Sequence, residues 1–203
     1  GKLQALGEAY PSLVDQLSDF VNTKNLPASI SHFYERTTDY RLFASVKWQL
    51  WFKPFAFIYQ WISRRIQQLN LPFNSDVEEM TGTIHLVDEN IDKREKPRVW
   101  KRTIRDKTVF VAIYSKHTSH GKTYMNIALP LPFSTMMGIL SLEERDSALH
   151  LASKGAADAG VYLSIGRYTL KLPLQEHFII QQKGDTLIAT HDMTIFGLHF
   201  LHI

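Results

Sequence analysis

The segment Asn70-Leu71-Pro72-Phe73-Asn74-Ser75 separates two parts of the chain that have different hydrophobic periods. Before it, apolar residues recur at helical spacing and include an aromatic-rich run from Trp48 to Ile62. After it, short segments alternate between apolar and polar residues, with turn residues between them, up to Ile203. Because the first pattern is typical of helices and the second of strands, the sequence predicts an α+β fold, with N-terminal helices packed on an antiparallel sheet.

Three helical regions are predicted before the sheet. The first covers residues 3–21 and is interrupted at Pro11. The second is short and runs from Ser29 to about residue 36. The third contains the aromatic run, extends to about residue 69 and is bent at Pro54.

The strands predicted after residue 76 follow one another with short turns, which is typical of a meander that curls. They cover residues 80–88, 98–105, 108–115, 123–129, 135–142, 148–152, 161–165, 169–172, 177–182, 186–196 and 198–203. We therefore predict a single domain over residues 1–203, with a helical lead-in over 1–75 and a strongly curved antiparallel sheet over 76–203. Two forms of that sheet remain open: a curved sheet with free edges and a closed, calycin-like barrel.

Composition narrows the function classes. The chain has 44% hydrophobic and 21% charged residues, as a globular domain does, and a formal charge of +3 that does not require a polyanionic partner. It has no cysteine, which excludes disulfides, thiolate metal sites and cysteine nucleophiles. The aromatic run contains Gln49, Lys53 and Pro54, and is too short to span a bilayer. A cytoplasmic location is expected, with membrane association as an addition to it.

Five short phrases occur in a fixed order along the chain: Pro54-Phe55, Leu71-Pro72-Phe73, Val99-Trp100-Lys101-Arg102-Thr103, Leu170-Lys171-Leu172-Pro173-Leu174 and Ile195-Phe196-Gly197. In these phrases the chain resembles an uncharacterised bacterial domain family that also forms the soluble C-terminal part of YndJ-like membrane proteins. The resemblance runs from about residue 40 to the end. It implies a fold and an association with membranes through the fusion partner, and it implies no catalytic residues.

The leading functional hypothesis is a non-enzymatic binder or accessory protein for an apolar or amphipathic ligand. Aromatic residues at helical spacing could cover a cavity, while methionines on the strands supply an adaptable lining and Trp100 with Arg102 supplies a polar–aromatic contact. The alternative is that the aromatic stripe packs as core. The residues expected at the ligand are Trp51, Phe55, Trp100, Arg102, Met125, Met137 and His191.

A second hypothesis is a peripheral membrane or protein-interaction module. Aromatic side chains favour the membrane interface, and basic residues beside them favour anionic headgroups. The residues that would make this contact are Phe57, Trp61, Arg64 and Arg65.

An enzyme of unrecognised class is the remaining alternative, because the chain has no nucleophile elbow, P-loop or zinc-binding helix motif. It would use His191 beside His85 or Glu176, brought together from separate strands. His117 and His120 have metal-ligand spacing but no acidic residue near them in the predicted turn, so no metal or other cofactor is predicted. Trp100 between two arginines could stack on a base, but without an accompanying motif nucleic acid is disfavoured.

Overall fold

The computed structural model describes residues 6–54, 76–105, 107–131, 133–155 and 157–203. The described residues are mostly antiparallel sheet, with 60% of them in strands and 13% in helices. The first three strands are short: β1 (Leu6–Ala9), β2 (Leu42–Ala44) and β3 (Lys47–Trp48). The others are β4 (Glu78–Val87), β5 (Glu95–Ile104), β6 (Lys107–Ser119), β7 (Lys122–Leu131), β8 (Ser134–Arg145), β9 (Ala148–Ala152), β10 (Gly160–Ile165), β11 (Tyr168–Lys171), β12 (Leu174–Lys183), β13 (Thr186–Ile195) and β14 (Leu198–His202).

Helical structure is limited in the described residues. The helix α1 covers Ala28–Glu35, and a single helical turn, Glu89–Asp92, joins β4 to β5. Three 3-10 turns cover Leu17–Asp19, Thr37–Asp39 and Leu50–Phe52.

Neighbouring strands of the sheet run antiparallel in the order β1-β4-β5-β6-β7-β8-β9-β12-β13-β14-β3. The hairpin of β10 and β11 branches from β8, and β2 pairs with β4. Because the strands alternate in direction, β5, β7, β10 and β13 all finish at the same end, which we call the tip end. The opposite end, where α1 contacts the last part of β12 through a hydrogen bond from Ser29 to Gln182, we call the helix end.

The sheet is not closed, so the strongly curved meander is the form observed and the closed barrel is not. No ladder in the described part of the chain joins β4 directly to β14. Residues 42–48 lie between these strands instead: Leu42 pairs with Met80 of β4, and Trp48 pairs with Leu201 of β14.

The main core fills the concave side of the sheet. From α1, Ile30 and Tyr34 are buried there together with Leu17 of the preceding segment. They pack against strand residues that face the same interior, among them Ile84, Trp100, Met125, Leu140, Leu149, Leu151 and Ile180. At roughly 25 cal/mol for each Å² of apolar surface removed from water, this packing holds the N-terminal segment in the sheet.

The prediction of a helix over 3–21 is wrong. Residues 6–9 form β1 on the edge of β4, and only Leu17–Asp19 make a helical turn. The apolar spacing there serves an irregular segment that fills the sheet: Leu13 and Leu17 are buried, and the backbone N–H of Leu13 donates to Tyr34. The shorter helix predicted from Ser29 is confirmed, although it begins after Pro27 and Ser29 does not cap it.

The aromatic run starts as strand and 3-10 turn, not as the predicted helix. The part from residue 55 to 75 lies outside the described residues. Trp48 stacks on Phe52 with ring centroids 5.9 Å apart, and Phe52 contacts Phe200 at 4.6 Å. Trp48 and Phe52 therefore pack against β14, as the core alternative expects. Every strand predicted after residue 76 has a counterpart in the structure, within a few residues at each boundary.

Candidate ligand-binding site

The inner face of the sheet carries polar and aromatic side chains towards the tip end. Side chains alternate along a strand, so Arg98, Trp100 and Arg102 of β5 share one face. The register pairs Trp100 with Ala112 and Arg102 with Phe110 on β6, and residues that pair directly also share a face. Trp100 belongs to the main core, which identifies this face as the inner one.

Arg102 is held between two aromatic rings. Its guanidinium carbon lies 4.3 Å from the centroid of the Trp100 ring and 4.0 Å from that of Phe110. Its Nε is buried without a hydrogen-bond partner, and no carboxylate of the described residues forms an ion pair with it. Burial lowers the pKa of this guanidinium, but an arginine stays protonated at neutral pH. A buried cation without a counter-charge is costly, so this arrangement favours an anion at Arg102.

Glu176, His191 and Tyr114 are further ionisable groups inside the sheet: the charge of Arg102 acts on the pKa of His191 and of Tyr114, and the charge of Glu176 acts on that of Tyr114. Burial raises the pKa of the Glu176 carboxyl to about 7. Burial, together with the positive charge of Arg102, lowers the pKa of His191 to about 3. His191 is therefore neutral at physiological pH, and Glu176 is largely protonated below pH 7. Both shifts leave Arg102 as the permanent charge of the site.

Local packing fixes the positions of Glu176 and His191. The ring of His191 stacks on Phe178 of the neighbouring strand with centroids 3.6 Å apart, and its Nε2 is buried without a partner. The backbone N–H of Glu176 donates to Ser153 Oγ at 2.8 Å. The carboxyl group of Glu176 lies over Gly138 of β8, where an added Cβ would be 2.9 Å from Oε2. A side chain at position 138 would therefore displace this carboxyl group.

A cavity of ≈ 190 Å³ opens beside this region. It lies between the segment after α1 and the start of β4, and Trp100 forms part of its wall. Thr37, Tyr40 and Arg41 line one side, and Met80 and Gly82 line the other. The Arg102 guanidinium contacts the Trp100 ring, and Arg102 pairs with Gly82 of β4. Trp100 and Gly82 both line the cavity, so Arg102 lies next to its wall.

Four of the residues predicted at a ligand, Trp100, Arg102, Met125 and His191, lie on the inner face, but Met125 pairs with Lys116 nearer the helix end and is not beside Arg102. Met137 does not join them, because it pairs with Ala128 on the opposite face and packs there with Val99 and Val111. Trp51 lies at the tip end, 45% exposed, where its indole N–H donates to the carbonyl of His199. Phe55, Phe57, Trp61, Arg64 and Arg65 lie outside the described residues.

Sequence reasoning missed Phe110 and Tyr114, which alternate on β6 and face Arg102 and Arg98 across the ladder. Their period-two spacing was a usable signal. The sequence reasoning also gave Glu176 no special role, because a lone glutamate in a strand is usually a solvated charge. Trp100, although flanked by arginines, is buried and cannot act as an exposed stacking platform.

The two histidines with metal-ligand spacing have partners outside this site. His117, one of the two with metal-ligand spacing, bonds through Nε2 to Asp158 Oδ2 at 3.0 Å, while His120 contacts Ser119. The group with geometry suited to a metal ion is another one: Asp192, His199 and His202 at the β13–β14 hairpin.

Taken together, the geometry defines a β-rich domain whose concave interior contains an unpaired arginine among aromatic rings. Comparison with known proteins gives one relative, an uncharacterized membrane protein, YndJ, of Bacillus subtilis (strain 168), with 42% identity over 205 residues. The match covers 96% of this chain and 37% of the relative, so the chain spans little more than a third of that protein's length. This likeness is consistent with a YndJ-like family.

No family model matches the chain, and no solved structure matches it. None of the described helices is long and apolar enough to cross a membrane.

Proposed function

We propose that this chain is a non-enzymatic binding domain for an anionic amphiphile, with Arg102 pairing with the acidic end of the ligand. The observation that carries this proposal is the unpartnered Nε of Arg102 between Trp100 and Phe110. A carboxylate or phosphate placed there would supply the missing counter-charge and accept charge-assisted hydrogen bonds.

The surroundings favour a ligand with an apolar body. Leu42, Met80 and Trp100 line the cavity together with polar groups, which include Thr37, Thr81 and the Arg41–Glu79 ion pair. Aromatic rings flank the Arg102 guanidinium on both sides. Such sites bind mainly through apolar contact and use a few polar groups to orient the ligand. Glu176, protonated below pH 7, can donate one hydrogen bond to an anionic headgroup.

The direct test uses octanoate and its methyl ester as probes, with binding measured by titration calorimetry and by Trp fluorescence. We expect octanoate to bind more tightly than the ester, and Arg102→Met to reduce octanoate binding about tenfold or more, since a hydrogen bond to a charged group contributes about 1.5–3 kcal/mol. Lys101→Met is the matched control, because Lys101 is the neighbouring cation and is exposed. Equal binding of octanoate by wild type and Arg102→Met would exclude the proposed role of Arg102.

Glu176 and His191 are the residues that the enzyme alternative would use: Glu176 lies two residues from Phe178, which pairs with His191, and the pKa values of both are displaced. A carboxyl group with a pKa near 7 suits general acid–base catalysis. His191, with a pKa of about 3, is a weak base, and its Nε2 contacts no hydrogen-bonding group. The pair therefore supports a binding interior better than a catalytic dyad.

A second candidate function, docking at a membrane surface, is favoured by the tip end. All exposed large hydrophobic residues of the described chain except Leu86 and Ile91 lie there; they are Phe43, Leu50, Trp51, Val77, Phe133, Ile165, Tyr168, Leu170, Phe196 and Leu198, which we call the tip surface. Patches of exposed apolar residues mark sites of contact with proteins or membranes. The name of the relative, a membrane protein, points in the same direction.

Two turn residues of the tip surface are unusual in a further way. Phe133 and Phe196 are 97% and 77% exposed and adopt positive φ angles of 61° and 50°. Positive φ favours glycine or asparagine, so phenylalanine at these positions costs stability and its exposed ring adds none. Their presence is explained if the rings insert into an apolar phase outside the protein.

Vesicle co-sedimentation tests this candidate. We expect the full chain to bind vesicles that contain anionic phospholipid, and Phe133→Asn and Phe196→Asn each to weaken binding severalfold without lowering the melting temperature. Ile91→Asn, at an apolar residue that is 60% exposed at the helix end, is the control. Binding that is unaffected by both phenylalanine substitutions would assign membrane contact to other residues.

A further inference from the structure

The outer face of the second half of the sheet carries a row of four imidazoles and one carboxylate on four neighbouring strands. His150 of β9 contacts His177 of β12, with Nδ1 and Nε2 3.0 Å apart. His177 pairs directly with Asp192 of β13, and Asp192 pairs with His202 of β14. A register shift between Met193 and Thr194 then brings His199 to the same side of the hairpin. Four of the nine histidines in the chain are therefore gathered on one face.

Three residues of this row converge on one point. His199 Nε2 lies 2.9 Å and His202 Nδ1 lies 2.7 Å from the same oxygen, Oδ1 of Asp192. The three potential ligand atoms all lie within 4.8 Å of one another, and the three side chains are partly exposed. No lysine or arginine of the described residues forms an ion pair with Asp192; its ion-pair partners are the two histidines. The carboxylate charge is therefore available to a cation placed between the two rings.

We propose that Asp192, His199 and His202 form a binding site for a divalent transition-metal ion, with Zn²⁺ as the preferred ion. Two imidazole nitrogens and one carboxylate oxygen suit Zn²⁺, whereas Ca²⁺ and Mg²⁺ require mostly oxygen ligands. Three protein ligands leave one position of a tetrahedral ion open for water or another ligand.

A neighbouring amide supports the orientation of one ligand. Gln49 Nε2 lies 3.3 Å from Nδ1 of His199, the ring nitrogen that does not face Asp192. With the amide turned so that its oxygen faces the ring, Gln49 would accept a hydrogen bond from the Nδ1–H of His199. That bond would leave Nε2 free to bind the metal, as supporting groups do around metal sites. Gln49 directly follows β3, and Trp51 donates to the carbonyl of His199. The ion would therefore also tie residues 49–51 to the β13–β14 hairpin.

The test is calorimetric titration of the full chain with Zn²⁺ after removal of metal by EDTA and dialysis. We expect one ion per chain, a melting temperature that rises with Zn²⁺ concentration, and nitrogen coordination in the electron paramagnetic resonance spectrum of the Cu²⁺-loaded protein. His199→Ala and His202→Ala should each weaken Zn²⁺ binding by tenfold or more. Gln49→Leu should weaken it by a smaller factor, since it changes only the support of His199.

Two control variants make the assignment specific. His85→Ala removes a partly exposed histidine of β4 that contacts the carbonyl of Gly7 and no member of the proposed site, and should leave Zn²⁺ binding unchanged. His150→Ala removes the far member of the imidazole row and should also leave it unchanged. A loss in His150→Ala equal to that in His202→Ala would overturn the three-residue site, as would the absence of Zn²⁺ binding by the wild type. If His202→Ala fails to fold in EDTA, His202→Gln and His199→Asn provide the same comparison with smaller changes in volume.

Discussion

A Cβ atom added to Gly82 would lie 2.4 Å from Nε1 of Trp100, so the indole occupies space that only glycine at position 82 leaves open. Gly82 and Trp100 both line the cavity, and Gly82 pairs with Arg102. The position of the Trp100 ring, and with it the support of the Arg102 guanidinium, therefore depends on a residue that has no side chain.

The substitution Gly82→Ala should move Trp100 and destabilise the protein. Overpacking of this kind costs about 1–3 kcal/mol in the free energy of unfolding. Urea unfolding measures the loss, and a shift in the Trp fluorescence maximum reports the displaced ring. Thr83→Ala, one residue further along β4 and exposed, should change the free energy of unfolding by less than about 0.5 kcal/mol. Equal stability of Gly82→Ala and wild type would show that the Trp100 ring can adopt another position without loss of stability.

Glu176 should make the protein less stable as the pH rises. Its pKa in the folded protein is about 7, above the ordinary value of 4.5, so the folded state binds the proton more tightly than the unfolded state. The stabilisation is fully present below pH 4.5 and is lost as pH rises from there through 7, by on the order of 3 kcal/mol in total. Urea unfolding at several pH values between 4.5 and 8.5 measures this change.

The variant Glu176→Gln isolates this effect. It should be less sensitive to pH than the wild type over the same range, so its relative stability should rise towards pH 8. Glu8→Gln, an exposed residue on β1, should follow the wild-type curve. Parallel curves for Glu176→Gln and wild type would mean that Glu176 is ionised in the folded protein throughout.

Two arginines on the inner face of β5, Arg98 and Arg102, should respond differently to removal. Arg98 is paired: it donates to Ser12 Oγ at 2.8 Å and forms an ion pair with Asp15. Arg98→Met breaks this pair and should cost about 3 kcal/mol in the free energy of unfolding. Arg102→Met removes a cation that has no counter-charge, and should leave the free energy of unfolding unchanged or raise it.

Urea unfolding of both variants under the same conditions makes this comparison. A loss in Arg102→Met as large as that in Arg98→Met would assign a structural role to Arg102. The absence of such a loss supports a role in binding, because the residue would then be retained at no benefit to the fold.

The period-two pattern after residue 76 was enough to predict the strands, because each has one face in the core and alternation is a direct consequence of that. The same rule placed Arg98, Trp100 and Arg102 on one face. It could not bring Glu176 and His191 to Arg102, because that depends on strand order: the β10–β11 hairpin branches from β8, and β12 pairs with β9 instead. Over 3–21, spacing alone could not distinguish a helix from an irregular segment that fills the sheet.

Basic residues at the tip end should add an electrostatic component to vesicle binding, if this end meets an anionic surface. Lys107 and Arg167 are exposed there, close to the turns that carry the tip surface. A basic residue near an anionic membrane contributes about 1 kcal/mol, so Lys107→Glu and Arg167→Glu should each weaken binding about fivefold or more. The loss should appear with vesicles that contain anionic phospholipid and be absent with purely zwitterionic vesicles. The loss should also shrink as the salt concentration is raised, because surface charges are screened over about 8 Å at physiological ionic strength.

Lys183→Glu is the control: it makes the same change of charge at the helix end, where Lys183 is the last residue of β12, and should weaken binding much less. Equal losses from all three substitutions would mean that the net charge of the protein, and not the tip end, determines its attraction to the membrane.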